Sequence, residues 1–244
     1  MSWLRALGAL YRDGFRLLWL APLVPLLAIL PEFAQHVAEV RLGMFDSREA
    51  FAALAMDPAR WAFGYAKIAG LVLAMLAAAR FHGDPAHRWW DLRGVLWKRF
   101  AIALALNAAV ALPIEAARGR VGEGAFLTVQ AVVTVATLPL ILYLFAALIG
   151  NRTMTLRAAL TSGWRRLPLL ALLLVAAFVP AQAVHQLNHT LALGRPDALV
   201  WALMVWDALL VGLLACWVGT AMAMGCRGDA AMNDRRYDDG AAES

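Results

Sequence analysis

Long apolar runs alternate with short clusters of charged residues along the whole chain. Six of these runs have the length that a helix needs to cross the hydrocarbon core of a bilayer, about 20 residues. They are too continuous for membrane strands, in which apolar and polar residues alternate. The predicted transmembrane helices are 15–34, 61–81, 95–117, 126–149, 167–186 and 198–224.

This pattern predicts an all-α fold, a polytopic helical membrane bundle of six transmembrane helices with short cytoplasmic interfacial helices. The spans and their connections use up residues 1–226, which we treat as a single membrane domain. No stretch remains that would fold as a separate soluble catalytic domain. The polar segment 227–244 is expected to be a disordered cytoplasmic tail.

Composition supports the membrane interpretation. Hydrophobic residues make up 62% of the 244-residue chain and charged residues only 16%, whereas soluble domains are about 25% charged. The net charge of +5 would suggest nucleic acid for a soluble protein. Because the basic residues flank apolar spans, we instead expect contact with membrane lipids and no nucleic-acid partner. The two cysteines, Cys216 and Cys226, suggest neither a disulfide framework nor a metal cluster.

The distribution of Arg and Lys predicts the orientation. With the N-terminus inside, inner segments carry fifteen basic residues and outer segments carry six, and basic residues in short loops favour the cytoplasmic side. The prediction is a multi-pass protein of a bacterial inner membrane with both termini in the cytoplasm. The bacterial assignment rests on the excess of Arg and Ala, which is typical of GC-rich bacterial genomes.

Three inner segments have the mixture of apolar, aromatic and basic residues typical of helices that lie in the membrane interface. The second would begin at Asp84-Pro85, an N-cap followed by proline, and the third near Thr153 or Thr155. The longest outer loop, 35–60, is expected to hold a short helix that begins at Asp46 or Ser47. The first interfacial helix has an apolar stripe of Trp3, Leu4, Leu7, Leu10 and Tyr11.

One element before the fifth span carries a family resemblance. It reads TLRAAL at 155–160 and GWRR at 163–166, and a leucine-rich span follows. It resembles an element of uncharacterised bacterial inner-membrane proteins and is similar to the membrane domain attached to some glycerophosphodiester phosphodiesterases. The resemblance covers roughly one hairpin and implies a membrane domain. It implies no catalytic residue, because this chain has no phosphodiesterase domain.

The motifs of soluble enzymes are absent from the sequence. None of the four serines lies in a nucleophile-elbow pattern. There is no phosphate-binding glycine-rich loop, no dinucleotide fingerprint, no CxxC and no HExxH. We therefore predict no catalytic residue, no cofactor and no enzymatic activity.

Polar residues within the predicted spans are the remaining functional signal, because burying them in lipid is costly. Most fall in the outer half of the bilayer. Lys67 and Asp207 lie at matching depth, which predicts a direct Lys67–Asp207 pair, with Lys67–Glu115 as the alternative. The predicted binding cluster consists of Lys67, Glu115, Asp207, Asn107, Gln130, Gln182 and His185.

A metal site is a weaker alternative. His185 and His189 are four residues apart and share a helix face, which is metal-ligand spacing. Two ligands do not make a site, and His36 or Glu32 would complete it only if tertiary packing brought them close. The sequence prediction is therefore no metal.

The sequence favours a small transporter-like or lipid-interacting protein with a polar cavity that faces the periplasm, binding a small polar solute or a lipid head group. Two alternatives stay open. In the first, the polar residues only hold helices together in a structural or assembly protein. In the second, Glu115 or Asp207 serves as acid or base in an intramembrane enzyme. The oligomeric state is not encoded in these patterns.

Overall fold

The computed structural model describes residues 3–84, 86, 88–117 and 119–227, and within these ranges it is all-α, with helices and no strand. The predicted tail beyond residue 227 therefore lies outside the described residues. The helices are α1 (Trp3–Leu20), α2 (Leu23–Arg41), α3 (Arg48–Leu54), α4 (Pro58–Gly83), α5 (Trp97–Ala117), α6 (Glu123–Leu148), α7 (Leu156–Thr161), α8 (Leu167–Ala192) and α9 (Asp197–Arg227).

Six of the helices in the described part of the chain are long and apolar enough to cross a membrane: α2, α4, α5, α6, α8 and α9. They have 19 to 31 residues, and a helix of about 20 residues spans the hydrocarbon core. The chain is an integral membrane protein of the multi-pass helical class.

The helix that carries the first span begins later than the sequence pattern suggests. The prediction was 15–34, but α1 ends at Leu20 and α2 runs from Leu23 to Arg41. Pro22 separates them because proline has no backbone N–H and disfavours a helical conformation in the residue before it. As a result, residues 35–41, which the sequence placed in an outer loop, belong to a membrane helix.

Helix α1 extends beyond the predicted interfacial stripe, and only part of that stripe packs on protein. Its buried residues include Leu10 and Leu17, while Trp3 and Leu4 remain exposed. Tyr11 donates a hydrogen bond to the carbonyl oxygen of Ala176 at 2.6 Å. The helix therefore packs partly on protein, through a face that includes Leu10, rather than through the whole predicted stripe.

The other predicted short helices have mixed outcomes. Helix α3 begins after Ser47, whose hydroxyl accepts a hydrogen bond from the Ala50 amide, and α7 is capped in the same way by Thr155, so both helix starts are confirmed. The predicted helix after Asp84 is wrong over residues 88–94, which form turns and a single 3-10 turn at Leu92–Gly94. Pro85 and His87 lie outside the described residues.

The helices pack into two compact units. Of the described residues, unit 1 comprises those in 3–82 and 172–221, and unit 2 comprises those in 83–171 and 222–227. In unit 1, small residues allow α2, α4 and α9 to approach closely, as is common in membrane bundles. At Gly219 of α9, for example, an added Cβ would lie only 2.5 Å from the Met75 carbonyl oxygen of α4.

Unit 2 is built on the α5–α6 hairpin. The Leu96 amide, just before α5, donates to the carbonyl oxygen of Ala147 at the end of α6. Arg166 donates to the carbonyl oxygen of Cys226 at 2.6 Å, where the cation also meets the negative end of the α9 dipole. These contacts all lie among the connecting residues and helix ends, while the middle of α5 has little packing within the protein.

Candidate functional site

Polar side chains from four helices meet at one end of unit 1. They come from the C-terminal halves of α2 and α8 and from the N-terminal halves of α4 and α9. We call them the polar cluster: Glu32, Gln35, His36, Glu39, Arg60, Lys67, His185, Asn188, His189 and Asp207.

Asp207 of α9 is the hub of the polar cluster. Its carboxylate is completely buried and receives three hydrogen bonds. Oδ2 lies 2.6 Å from His185 Nδ1 and 3.1 Å from His36 Nε2, and Oδ1 accepts from Asn188 Nδ2 at 2.8 Å. A carboxylate removed from water needs such partners, so Asp207 ties α2 and α8 to α9.

His36 of α2 connects Asp207 to a second carboxylate. Its Nδ1 lies 2.9 Å from Glu39 Oε2, while Nε2 faces Asp207 and is 3.3 Å from Glu32 Oε1. A neutral imidazole has only one N–H, so both ring nitrogens can bond carboxylates only if the ring is protonated. Otherwise one nitrogen must face a cation. The geometry around His36 therefore calls for a positive charge.

Glu39 is held from three directions. Besides His36, Gln35 Nε2 donates to its Oε1 at 3.0 Å, and Arg60 Nε donates to the same oxygen at 2.8 Å. Arg60 also donates to the Ala55 carbonyl oxygen, which anchors the loop between α3 and α4. This end of α2 is fixed to the start of α4.

Lys67 of α4 pairs with Glu32 of α2, with Nζ 2.7 Å from Oε1. The sequence prediction of a direct Lys67–Asp207 pair is therefore wrong, although both residues belong to the polar cluster. The reason is that Glu32, predicted at the very end of its span, lies in the middle of α2 and is completely buried. An ammonium group takes the nearest buried carboxylate.

The loop between α2 and α4 covers the polar cluster. Phe45 and Phe51 lie against the His189 ring, with ring centroids 5.7 and 6.1 Å away. Phe45 is also part of an apolar group with Met204 and Val200 of α9. The ring contacts exclude water from this side, which strengthens electrostatic interactions among the buried groups.

Two sets of metal-ligating atoms occur within the polar cluster, among the residues that the structure describes. One is His36, His189 and Asp207, and the other is Glu32, His185 and Asp207; within each set the ligand atoms lie within 4.8 Å of one another. His189 Nε2 and Glu32 Oε2 are buried and have no hydrogen-bond partner among the described residues. The cluster thus combines cation ligands with unused acceptor capacity.

The structure brings together only part of the binding cluster predicted from the sequence. Of its seven residues, Lys67, His185 and Asp207 belong to the polar cluster. Gln182 lies half-buried on α8, about one turn before His185. The other three belong to unit 2. There Asn107 donates to the Ala103 carbonyl oxygen of its own helix, Gln130 is half-buried on α6, and Glu115 is exposed on α5.

Seven members of the polar cluster are absent from the binding cluster predicted from the sequence: Glu32, Gln35, His36, Glu39, Arg60, Asn188 and His189. Three of them, Glu32, His36 and His189, were considered only for the metal site that the sequence did not favour. A signal was present, because Glu32, His36 and Glu39 are spaced at four and three residues, which places them on one face of a helix. The predicted span 15–34 ends between Glu32 and His36, so the prediction divides this polar face between a span and a loop.

Comparison with known proteins adds nothing to this description, because no family model, no characterised protein and no solved structure matches the chain.

Proposed function

We propose that the chain is a transporter-like membrane protein that takes a small cation into the polar cluster from the periplasmic side. The observation that carries the proposal is the charge of the cluster. Three buried carboxylates, Glu32, Glu39 and Asp207, face two permanent cations, Lys67 and Arg60. With neutral histidines one negative charge is left over, and burying it uncompensated is costly.

The same charge balance decides between the classes of ligand that the sequence suggested, a small polar solute and a lipid head group. A phosphate-bearing lipid head group would add negative charge where carboxylates are already in excess. A neutral solute would leave the excess uncompensated. A proton on a histidine or a small metal cation relieves it, and His36, His185 and His189 are suited to either because imidazole binds both protons and metals.

The proposed side of entry follows from the charge distribution along the chain. Basic residues favour the ends of the spans opposite to the polar cluster, and these are the predicted cytoplasmic ends. The cluster lies toward the C-terminal ends of α2 and α8 and the N-terminal ends of α4 and α9, which this orientation directs to the periplasm.

A structural role is the second candidate, and one observation favours it. Each carboxylate of the polar cluster already has a partner on another helix: Glu32 has Lys67, Glu39 has Arg60, and Asp207 has His185. Such contacts also serve simply to join membrane helices. The two candidates differ in whether the cluster exchanges its cation with the surrounding solution.

Reconstitution of the full chain in proteoliposomes tests the proposal. Entry of protons and of divalent metal ions is followed with trapped dyes, for the unaltered chain and for Asp207→Asn at equal amounts of folded protein. The matched control is His82→Gln, which removes a buried histidine outside the polar cluster. His82 lies on α4, 15 residues or about 22 Å of helix away from Lys67.

The proposal predicts a cation flux that Asp207→Asn abolishes and His82→Gln retains. Absence of any cation flux through folded, unaltered protein would contradict it and leave the structural role. A flux that persists in Asp207→Asn would contradict it as well, because the cation would then bypass the polar cluster.

A further inference from the structure

We infer that the polar cluster is a binding site for a first-row divalent transition-metal ion, with His36 Nε2, His189 Nε2 and Asp207 Oδ2 as its protein ligands. The inference rests on the proposed function, in which the cluster takes a cation, and it identifies the class of that cation. It does not require that the ion be released on the other side of the membrane.

The distances between the ligand atoms suit such an ion. Ligands about 2.0–2.1 Å from a tetrahedral Zn²⁺ lie roughly 3.3 Å from one another. Asp207 Oδ2 lies 3.1 Å from His36 Nε2 and 3.7 Å from His189 Nε2. The ligand atoms of all three residues lie within 4.8 Å of one another, so that side-chain rotation would bring them around one ion.

The orphaned nitrogen of His189 is the observation that distinguishes a ligand site from a hydrogen-bond network. His189 is more than nine-tenths buried, and its Nε2 has no hydrogen-bond partner among the described residues. This nitrogen lies 3.7 Å from Asp207 Oδ2, beyond hydrogen-bond distance, and the His189 and His36 ring centroids are 5.4 Å apart. A histidine that served only to join helices would use this nitrogen for a hydrogen bond.

The surroundings of the proposed ligands match the outer shell of known metal sites. A ligating histidine usually donates its other ring N–H to a carboxylate, which fixes the tautomer and the ring orientation. His36 Nδ1 has this contact with Glu39, which Arg60 and Gln35 hold in turn. Asn188 donates to Oδ1 of Asp207 and so orients the carboxylate without using Oδ2.

The types of ligand atom select the class of ion. Imidazole and carboxylate together suit zinc and its first-row neighbours, whereas Ca²⁺ and Mg²⁺ prefer oxygen ligands alone. Glu32 is the candidate fourth ligand, because its Oε1 lies 3.3 Å from His36 Nε2. Lys67 pairs with this same oxygen and offsets part of the charge, while Glu32 Oε2 is buried without a hydrogen-bond partner among the described residues.

Metal titration of the purified full chain in detergent tests the inference. The chain is first stripped with a chelator and then titrated with Co²⁺, whose visible spectrum reports tetrahedral coordination, and with Zn²⁺ followed by the melting temperature. The decisive variant is His189→Gln. Since His189 Nε2 makes no hydrogen bond, its removal leaves the hydrogen bonds of Asp207 with His36, His185 and Asn188 in place.

The expected result is one tetrahedral Co²⁺ site per chain and a zinc-dependent rise in melting temperature. In His189→Gln, affinity should fall by more than the roughly 10–100-fold that loss of an outer-shell partner costs. The metal-free melting temperature of this variant should stay close to that of the unaltered chain. His82→Gln should bind metal normally.

Folded, unaltered protein that binds no transition metal would overturn the inference, as would unchanged affinity in both His189→Gln and Asp207→Asn. These failures differ from failure of the proposed function. Proton flux that depends on Asp207 without metal binding would overturn the metal site and keep the cation proposal. Metal binding without any cation flux would keep the site and overturn transport.

Discussion

The two units treat their intramembrane polar residues in different ways. In unit 1, polar side chains on α2, α4, α8 and α9 lie buried against one another, with Asp207 as their hub. In unit 2, two such residues of α5 and α6 bond within their own helices. Asn107 donates to the Ala103 carbonyl oxygen, and Thr137 donates to the Val133 carbonyl oxygen of its own helix.

Burial within the protein is lowest on α5, whereas α6 of unit 2 is at least as buried as α2, α4 and α8 of unit 1. In the most apolar window of α9, 56% of the residues are buried within the protein, whereas in that of α5 only 6% are buried. A polar side chain on a surrounded helix meets other helices and can join a network. On a less buried stretch, such as that around Asn107 of α5, the side chain bonds to the backbone of its own helix. Similar polar residues in a sequence therefore join a cluster of several helices at Asp207 and bond only to their own helix at Asn107.

The largest effect is expected at Asp207. Asp207→Leu leaves His36, His185 and Asn188 without their shared acceptor, and breaking a buried charge pair costs about 3–5 kcal/mol. We expect the upper end, about 5 kcal/mol, because three partners are lost. Asn107→Leu in unit 2 is the matched control and should have little effect. Melting temperature and the amount of folded protein in membranes measure both variants, and equal losses would contradict the contrast between the units.

An intermediate effect is expected at Lys67, whose side chain is 22% exposed. Lys67→Met leaves the buried Glu32 carboxylate without its ammonium partner, at a cost near the lower end for such pairs, about 3 kcal/mol. The double variant Lys67→Met with Glu32→Gln should recover much of the lost melting temperature.

The double variant Lys67→Met with Asp207→Asn is the comparison for the double variant Lys67→Met with Glu32→Gln. It should show no such recovery, since these two residues are not partners. Recovery in this second combination, and not in the first, would restore the pairing that the sequence suggested.

The smallest effect is expected from the packing of glycines. Gly219→Ala would bring a methyl group against Met75 and Ala78 of α4, and such overpacking costs about 1–2 kcal/mol. Gly124→Ala on α6 meets no atom within 4 Å and should be neutral or slightly stabilising, because alanine favours the helix. Melting temperatures that fall equally in both variants would contradict the close packing of α9 on α4 at Gly219.

The sequence predicted the fold well because long apolar runs leave few alternatives in a membrane. It misjudged the start of α2 because hydrophobicity alone does not locate a helix boundary. Leu17 and Leu20 are as apolar as the span that follows, yet Pro22 ends the preceding helix near Leu20.

The site was predicted less completely because depth along a span does not determine which side chains face each other. Lys67 and Asp207 do lie at the same end of unit 1, as their depth suggested. Their partners depend on helix rotation and on the exact position of Glu32 and His36, which tertiary packing decides. A correct start for α2 would have placed Glu32, His36 and Glu39 on one buried face and pointed to most of the polar cluster.

X-ray absorption at the zinc edge, on the full chain loaded with one Zn²⁺, tests the central claim most directly. We expect nitrogen and oxygen ligands at about 2.0–2.1 Å, with the multiple-scattering signature of two histidines. In His189→Gln the signature should be that of one histidine. A shell of water oxygens alone, or an unchanged histidine signature in His189→Gln, would contradict a metal centre in the polar cluster.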